Sequence, residues 1–195
     1  NQTTAVNTYN VAVGYNAGAA VTTGIANTLI GGLAGDALTD ADDNVALGYS
    51  ALSSDTLGSH TTALGKDALF SQNFTTATDS HNTAVGHSAG VAVTTGIENT
   101  LLGSLAGDAL TDADSNTALG TGALTTDTLG SRSVAVGGAA LGDQNFTTAT
   151  DSYNTAVGSP RAFRTLFLVV LEAPIILRQL DALLLVIIIM QARLV

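Results

Sequence analysis

Along most of the chain, polar and apolar positions alternate in one short cadence. A small polar residue is followed by Thr or Val, then Ala or Leu, a branched apolar residue and Gly. Asn82-Thr83-Ala84-Val85-Gly86 shows it, and it starts again at Asn10, Asn27, Asn44, Thr61, Asn99, Asn116, Ser133 and Asn154. Gly closes every copy, at Gly14, Gly31, Gly48, Gly65, Gly86, Gly103, Gly120, Gly137 and Gly158. Ala follows three residues later in each copy from Ala17 to Ala140, whereas Arg161 stands in that place after Gly158, so the repeat ends at residue 158. Alternation over five residues rich in Thr and Val predicts a strand, and Gly supplies the positive φ of a tight corner.

Motif starts are separated by 17, 17, 17 and 21 residues, and the series then repeats, giving a 72-residue super-repeat of four units. Leu33–Asp42 recurs unchanged as 105–114, and Gln72–Ser80 as 144–152, while Thr3-Thr4-Ala5 reads as the tail of an earlier copy. Units this short cannot hold two helices, so the pattern predicts an all-β fold, a parallel β-roll (β-solenoid) of 17–21-residue coils. The coil 10–26 is expected to give one strand around Val11–Val13 and another around Ala19–Thr22. Nine coils stacked at about 4.8 Å make a rod of about 40 Å. The longer unit adds a four-residue loop, expected at Gln72–Phe74 and Gln144–Phe146.

Thr83 and Val85 share one face of the motif strand, and Asn82, Ala84 and Gly86 share the other. One face fills the narrow interior. The expectation is that the Ala/Gly column forms a smooth outer surface along which chains associate, with the Asn amides stacked as a ladder between coils.

Composition divides the chain at the same place. Residues 1–158 hold all 21 glycines, no proline, and only Lys66 and Arg132 against fourteen acids, a net charge near −12. Such a body does not suit a nucleic acid partner, since phosphate binding needs cationic neutralisation, and nothing in 1–158 calls for membrane insertion. Cysteine is absent, which excludes disulfides and thiolate chemistry.

Residues 159–195 are a different kind of sequence, with both prolines, four arginines and no Gly or Asn. The longest apolar run, Ala182–Met190, is nine residues, short of the ~20 that span a bilayer. The tail is expected to be a frameshift product or another non-native segment, with a buried helix as the alternative. One base earlier, Val codons give Gly or Ser, Ile codons Asn or Asp, and many Leu codons Ala or Thr. The run Leu183–Ile189 then permits Ala-Ala-Val-Gly-Asn-Asn-Asn, the vocabulary of the repeat.

The pattern Asn-Thr-Ala-Val-Gly-x-x-Ala resembles the head repeats of YadA-type trimeric autotransporter adhesins, and is similar to repeats of phage tail fibres, over residues 1–158. The resemblance implies a left-handed roll and a homotrimer packed about a common axis. Adhesin coils are shorter, so no receptor surface is carried over.

Few residues invite chemistry. Asp40, Asp42 and Asn44, with Asp112, Asp114 and Asn116, match the first three ligand positions of a calcium loop but lack its later Gly and Glu. They are expected as solvated turns, with calcium as the alternative, and no other cofactor is indicated. His60, His81 and His87 have no triad partners, and no phosphate loop or catalytic carboxylate pair is present, so no enzyme is expected. Asn73-Phe74-Thr75 and Asn145-Phe146-Thr147 are glycosylation sequons. Phe70, Phe74 and Phe146 are receptor contacts if exposed, and otherwise pack under the loop.

The resulting expectation is a structural and adhesive fibre segment of a phage tail or bacterial surface, extracellular, on the cell surface or on a virion. Its outward loops would meet a cell-surface or matrix receptor. A ligand-binding β-solenoid such as an ice-binding protein is the alternative, suggested by Thr22-Thr23, Thr75-Thr76 and Thr147-Thr148. A repeat acyltransferase is disfavoured, because the units are not hexapeptides.

Overall fold

The structure, a computed structural model, describes residues 8–159. The partial copy at Thr3–Ala5 and the tail from 160, with its frameshift reading, lie outside the described residues.

Those residues form strands and turns and no helix. The strands are β1 (Val11–Val13), β2 (Thr28–Ile30), β3 (Val45–Leu47), β4 (Gly58–Ser59), β5 (Thr62–Leu64), β6 (Thr78–Asp79), β7 (Thr83–Val85), β8 (Thr100–Leu102), β9 (Thr117–Leu119), β10 (Gly130–Ser131), β11 (Val134–Val136), β12 (Thr150–Asp151) and β13 (Thr155–Val157). The nine motif strands stack in parallel as one sheet, β1-β2-β3-β5-β7-β8-β9-β11-β13, and β4/β6 and β10/β12 form two small parallel pairs. Every neighbour in the long sheet is one coil away. The described residues therefore form a β-solenoid of about nine turns.

The register places strand centres over one another: Leu29 over Ala46, Ala46 over Ala63, Ala63 over Ala84, and Ala84 over Leu101. From Leu29 onward these centres are buried, as are Asn27, Asn44, Asn82, Asn99 and Asn116. The small Ala/Gly face is thus the lining of the coil and not an outer surface, which corrects the expectation from sequence. The cause is volume. The opposite wall already contributes Val21, Leu38, Leu52, Leu69, Val93, Leu110 and Leu124 to the lumen, leaving room for Ala across from them.

Large and small residues exchange places from coil to coil. Where the strand centre is Leu29, the facing positions are Gly18 and Gly35, and a Cβ on Gly35 would come within 2.7 Å of Leu29 Cδ2. Where the centre is Ala46 or Ala63, the same facing positions are Leu52 and Leu69. Close packing is kept by complementary substitution.

The asparagines form a ladder, though not between amides alone. Asn99 Nδ2 donates to the Ala113 carbonyl near the end of its own coil at 2.8 Å, and Asn99 Oδ1 accepts the Asn116 backbone N–H of the next coil at 3.0 Å. Asn27, Asn44, Asn82 and Asn116 repeat both bonds. Each side chain closes its own turn and pins the next, and buried backbone groups find partners without a second long sheet.

The strand expected at Ala19–Thr22 does not form. Asn16 (φ 55°) and Gly18 (φ 60°) turn the backbone there. The amides of Gly18, Ala20 and Thr22 still donate to Ala34, Asp36 and Thr39 of the next coil, so the stack holds through turns.

The extra residues of the long coil also lie slightly later than expected. Thr56 Oγ1 meets Asn73 Oδ1, 17 residues on, whereas Gly58 pairs with Thr78 and Thr62 with Thr83, offsets of 20 and 21. Gln72 keeps its regular place inside the coil, and the outward bulge falls on Thr75–Ala77, all exposed.

Candidate interaction surface

Because the motif strand turns its Asn/Ala/Gly side inward, its other side faces out. Two columns run along the long sheet. The first holds Thr or Val (Thr28, Val45, Thr62, Thr83), and the second holds a branched aliphatic residue in every strand. Val13 is 57% exposed, Leu47 46%, Leu119 45% and Val157 54%. Single exposed apolar residues are ordinary, but a contiguous apolar column on a flat sheet marks an interaction face. Period-two alternation located both faces of the strand. It did not say which was lined, because Ala carries little hydropathy signal of its own.

The calcium-loop residues are not brought together as ligands. Asn44 and Asn116 are buried ladder residues with committed amides. Asp42 Oδ1 accepts the Ile25 N–H and Asp114 Oδ1 the Ile97 N–H, each at 2.8 Å. Asp40 and Asp112 accept from the Thr23 and Thr95 hydroxyls. The Asp-x-Asp-x-Asn spacing is thus divided between the lumen and the outer wall, and each carboxylate tethers the preceding coil. Among the described residues no cluster of three His, Asp or Glu side chains could hold a metal ion.

His60 and His81 stand on adjacent coils with ring centroids 5.3 Å apart, and His60 Nδ1 lies 3.1 Å from Asp79. One super-repeat later the same positions are Arg132 and Tyr153. Arg132 Nε is 3.1 Å from Asp151, and the guanidinium lies over the Tyr153 ring at 5.8 Å. The hydrogen bond to Asp151 raises the Arg132 pKa, and the bond from Lys66 to Asp67, 2.8 Å, raises that of Lys66. Both cations of the repeat body therefore face a carboxylate, and neither starts a basic patch. His87 is exposed.

Phe74 is buried at 5% exposure, Phe146 is partly buried, and Phe70 is 39% exposed. Packing under the loop holds for Phe74, while Phe70 stays outside. Thr22 Oγ1 donates along the stack to the Thr39 carbonyl at 3.1 Å, so that hydroxyl hydrogen serves the coil.

Sequence reasoning missed a buried polar network in the long coil. Asp55 Oδ1 accepts the Gly58 and Phe74 N–H groups at 3.1 and 3.0 Å, and its Oδ2 accepts Gln72 Nε2 at 2.7 Å. Gln72 Nε2 also reaches Thr61 Oγ1 at 3.0 Å, and Gln72 Oε1 accepts Asn82 Nδ2 at 2.9 Å. Asp127, Gln144, Ser133 and Asn154 repeat the arrangement. The one sequence signal is Thr61 or Ser133 replacing the motif Asn wherever Gln72 or Gln144 enters the lumen.

No helix among the described residues is long and apolar enough to cross a membrane. No protein-family model, curated protein or solved structure matches the chain.

Proposed function

We propose that the chain is a fibre segment, in which three copies pack their long sheets about a common axis and hold a binding region away from its base. The reading rests on one observation: a branched aliphatic column, from Val13 to Val157, runs along the outer face of the whole sheet, with five of its nine residues exposed and the rest half-buried. Covering it in a symmetric assembly removes apolar surface at roughly 25 cal/mol per Å². The resemblance to adhesin heads supplies the number three and the left hand. The remaining sides carry the loops, and three copies of each give avidity from weak contacts with a surface receptor. The setting that fits is extracellular, on a virion or a bacterial surface.

Sedimentation of purified residues 1–158 tests this. Three chains are expected, and Leu47→Lys with Leu119→Lys reduces the mass to one chain while the circular dichroism of the coil persists. A wild-type monomer overturns the trimer.

The ice-binding alternative draws on the column beside it. Thr28, Thr62, Thr83, Thr100, Thr117 and Thr155 are outward on the same sheet, interrupted by valines at 11, 45 and 134. That array needs the face free of partner chains. A monomer with thermal hysteresis would favour it, and a trimer without hysteresis would exclude it.

A further inference from the structure

The two super-repeats differ at 22 of their 72 paired positions, and the fold accounts for where. Most lumen residues are kept, such as Leu29 and Leu101, Leu52 and Leu124, and Asp55 and Asp127, with Thr61 against Ser133 an exception. The substitutions fall mostly on outward residues, as in Tyr15 against His87, Tyr49 against Thr121, and Phe70 against Gly142, though others such as Leu47 and Leu119 are kept. The segment 72–80 is identical to 144–152 throughout, as 33–42 is to 105–114. Buried Gln72 and Phe74 explain part of that identity. Asn73, Thr75, Thr76 and Ala77 are exposed, as are Asn145 and 147–149.

Within that bulge stand Asn73-Phe74-Thr75 and Asn145-Phe146-Thr147. Of all the asparagines described, these two alone are followed by x-Thr or x-Ser. The motif asparagines nearby are walled into the lumen with both amide atoms bonded. Asn73 differs: its Oδ1 accepts the Thr56 hydroxyl at 3.2 Å, as Asn145 accepts Thr128 at 3.3 Å. No hydrogen bond engages the Nδ2 of either residue. Phe74, anchored by Asp55, fixes the chain directly beneath, so a group added at Asn73 projects into solvent without disturbing a coil.

We propose that Asn73 and Asn145 are acceptor sites for asparagine-linked glycans. The transfer forms a bond from Nδ2 to the anomeric carbon of an activated glycosyl phosphate donor. The bond from that carbon to phosphate breaks, its electron pair leaves on the phosphate, and one Nδ2 proton passes to a base of the transferase. Four coils separate the two sites, placing glycans about 19 Å apart along the rod at ~4.8 Å per coil. The inference is independent of the fibre reading, since it concerns a bond on a single chain and is read by mass.

The full chain, secreted behind a leader from cells with asparagine-linked glycosylation, should carry glycan at both sites. Peptide mass mapping separates them from Asn1-Gln2-Thr3. Asn73→Gln or Thr75→Ala should lower occupancy from two sites to one, and adding Asn145→Gln or Thr147→Ala should abolish it. After enzymatic deglycosylation of both, the melting curve of the wild type should match that of Thr75→Ala, because the Thr75 hydroxyl bonds nothing in the coil. Unmodified Asn73 and Asn145 in cells that modify a co-expressed acceptor protein, or glycan confined to Asn1, overturns the proposal.

Discussion

Gly86 is required for two separate reasons. Its φ of +138° lies where L-residues are not accommodated, and a Cβ there would stand 2.5 Å from the Gly103 carbonyl oxygen of the next coil. Neither problem is relieved by moving a side chain, because the obstacle is backbone. Gly86→Ala is expected to cost roughly 3 kcal/mol, seen as a lower urea midpoint; an unchanged midpoint would mean that the coils do not stack this closely. Ala139 has a different problem. Its φ of 56° is left-handed helical, a conformation that costs a non-glycine residue about 1 kcal/mol. Ala139→Gly should therefore stabilise the fold by up to about 1 kcal/mol, less what glycine's freedom in the unfolded chain takes back, read as a higher urea midpoint. The opposite signs of the two substitutions separate a corner that needs glycine from one that tolerates alanine.

At the scale of one coil, the Asp55–Gln72 pair is what lets a 21-residue turn stack on a 17-residue one. Asp55 is fully buried and accepts three hydrogen bonds, so its lone pairs are matched to donors. Asp55→Asn would set an amide NH₂ against the Gln72 amide and leave buried donors unpaired, at about 1–3 kcal/mol. Gln72→Glu in the same chain should restore much of that loss, since the amide introduced at position 55 could then donate to the new carboxylate. Thermal unfolding of the two single variants and the double checks this, and simple additivity would sink it. This network also marks where sequence stops being informative. The nine Gly corners, the 72-residue period and the parallel stack were legible because each imposes a residue type at a fixed interval. The sidedness of the strand was not: Ala84 and Val85 are both apolar, and only the Leu residues of the opposite wall decide which of them the lumen can take. The calcium-like spacing has a related origin, because Asp42 and Asn44 stand two residues apart but belong to opposite sides of the wall.

For the whole molecule, the structural unit is the super-repeat and not the coil. Stability of a solenoid is close to a sum of neighbour interfaces, so removing whole units should be tolerated if the new neighbours match. Deleting residues 82–153 joins His81 to Asn154, which repeats the junction between His81 and Asn82 and keeps every lumen partner in the first super-repeat. Deleting only 61–81 removes fewer residues but joins the coil of Asn44 to that of Asn82. Asp55 then loses Gln72 Nε2 and the Phe74 N–H, and the next coil offers Val93 in the place of Gln72, leaving a buried carboxylate with most of its donors gone. A charge so stranded costs several kcal/mol. The expected result is that the 72-residue deletion yields a shorter rod with a cooperative melt, and the 21-residue deletion melts at a lower temperature than the 72-residue one despite its greater length. Reversal of that order would mean that each coil stands alone, with the four-coil period inherited from duplication and not required by packing.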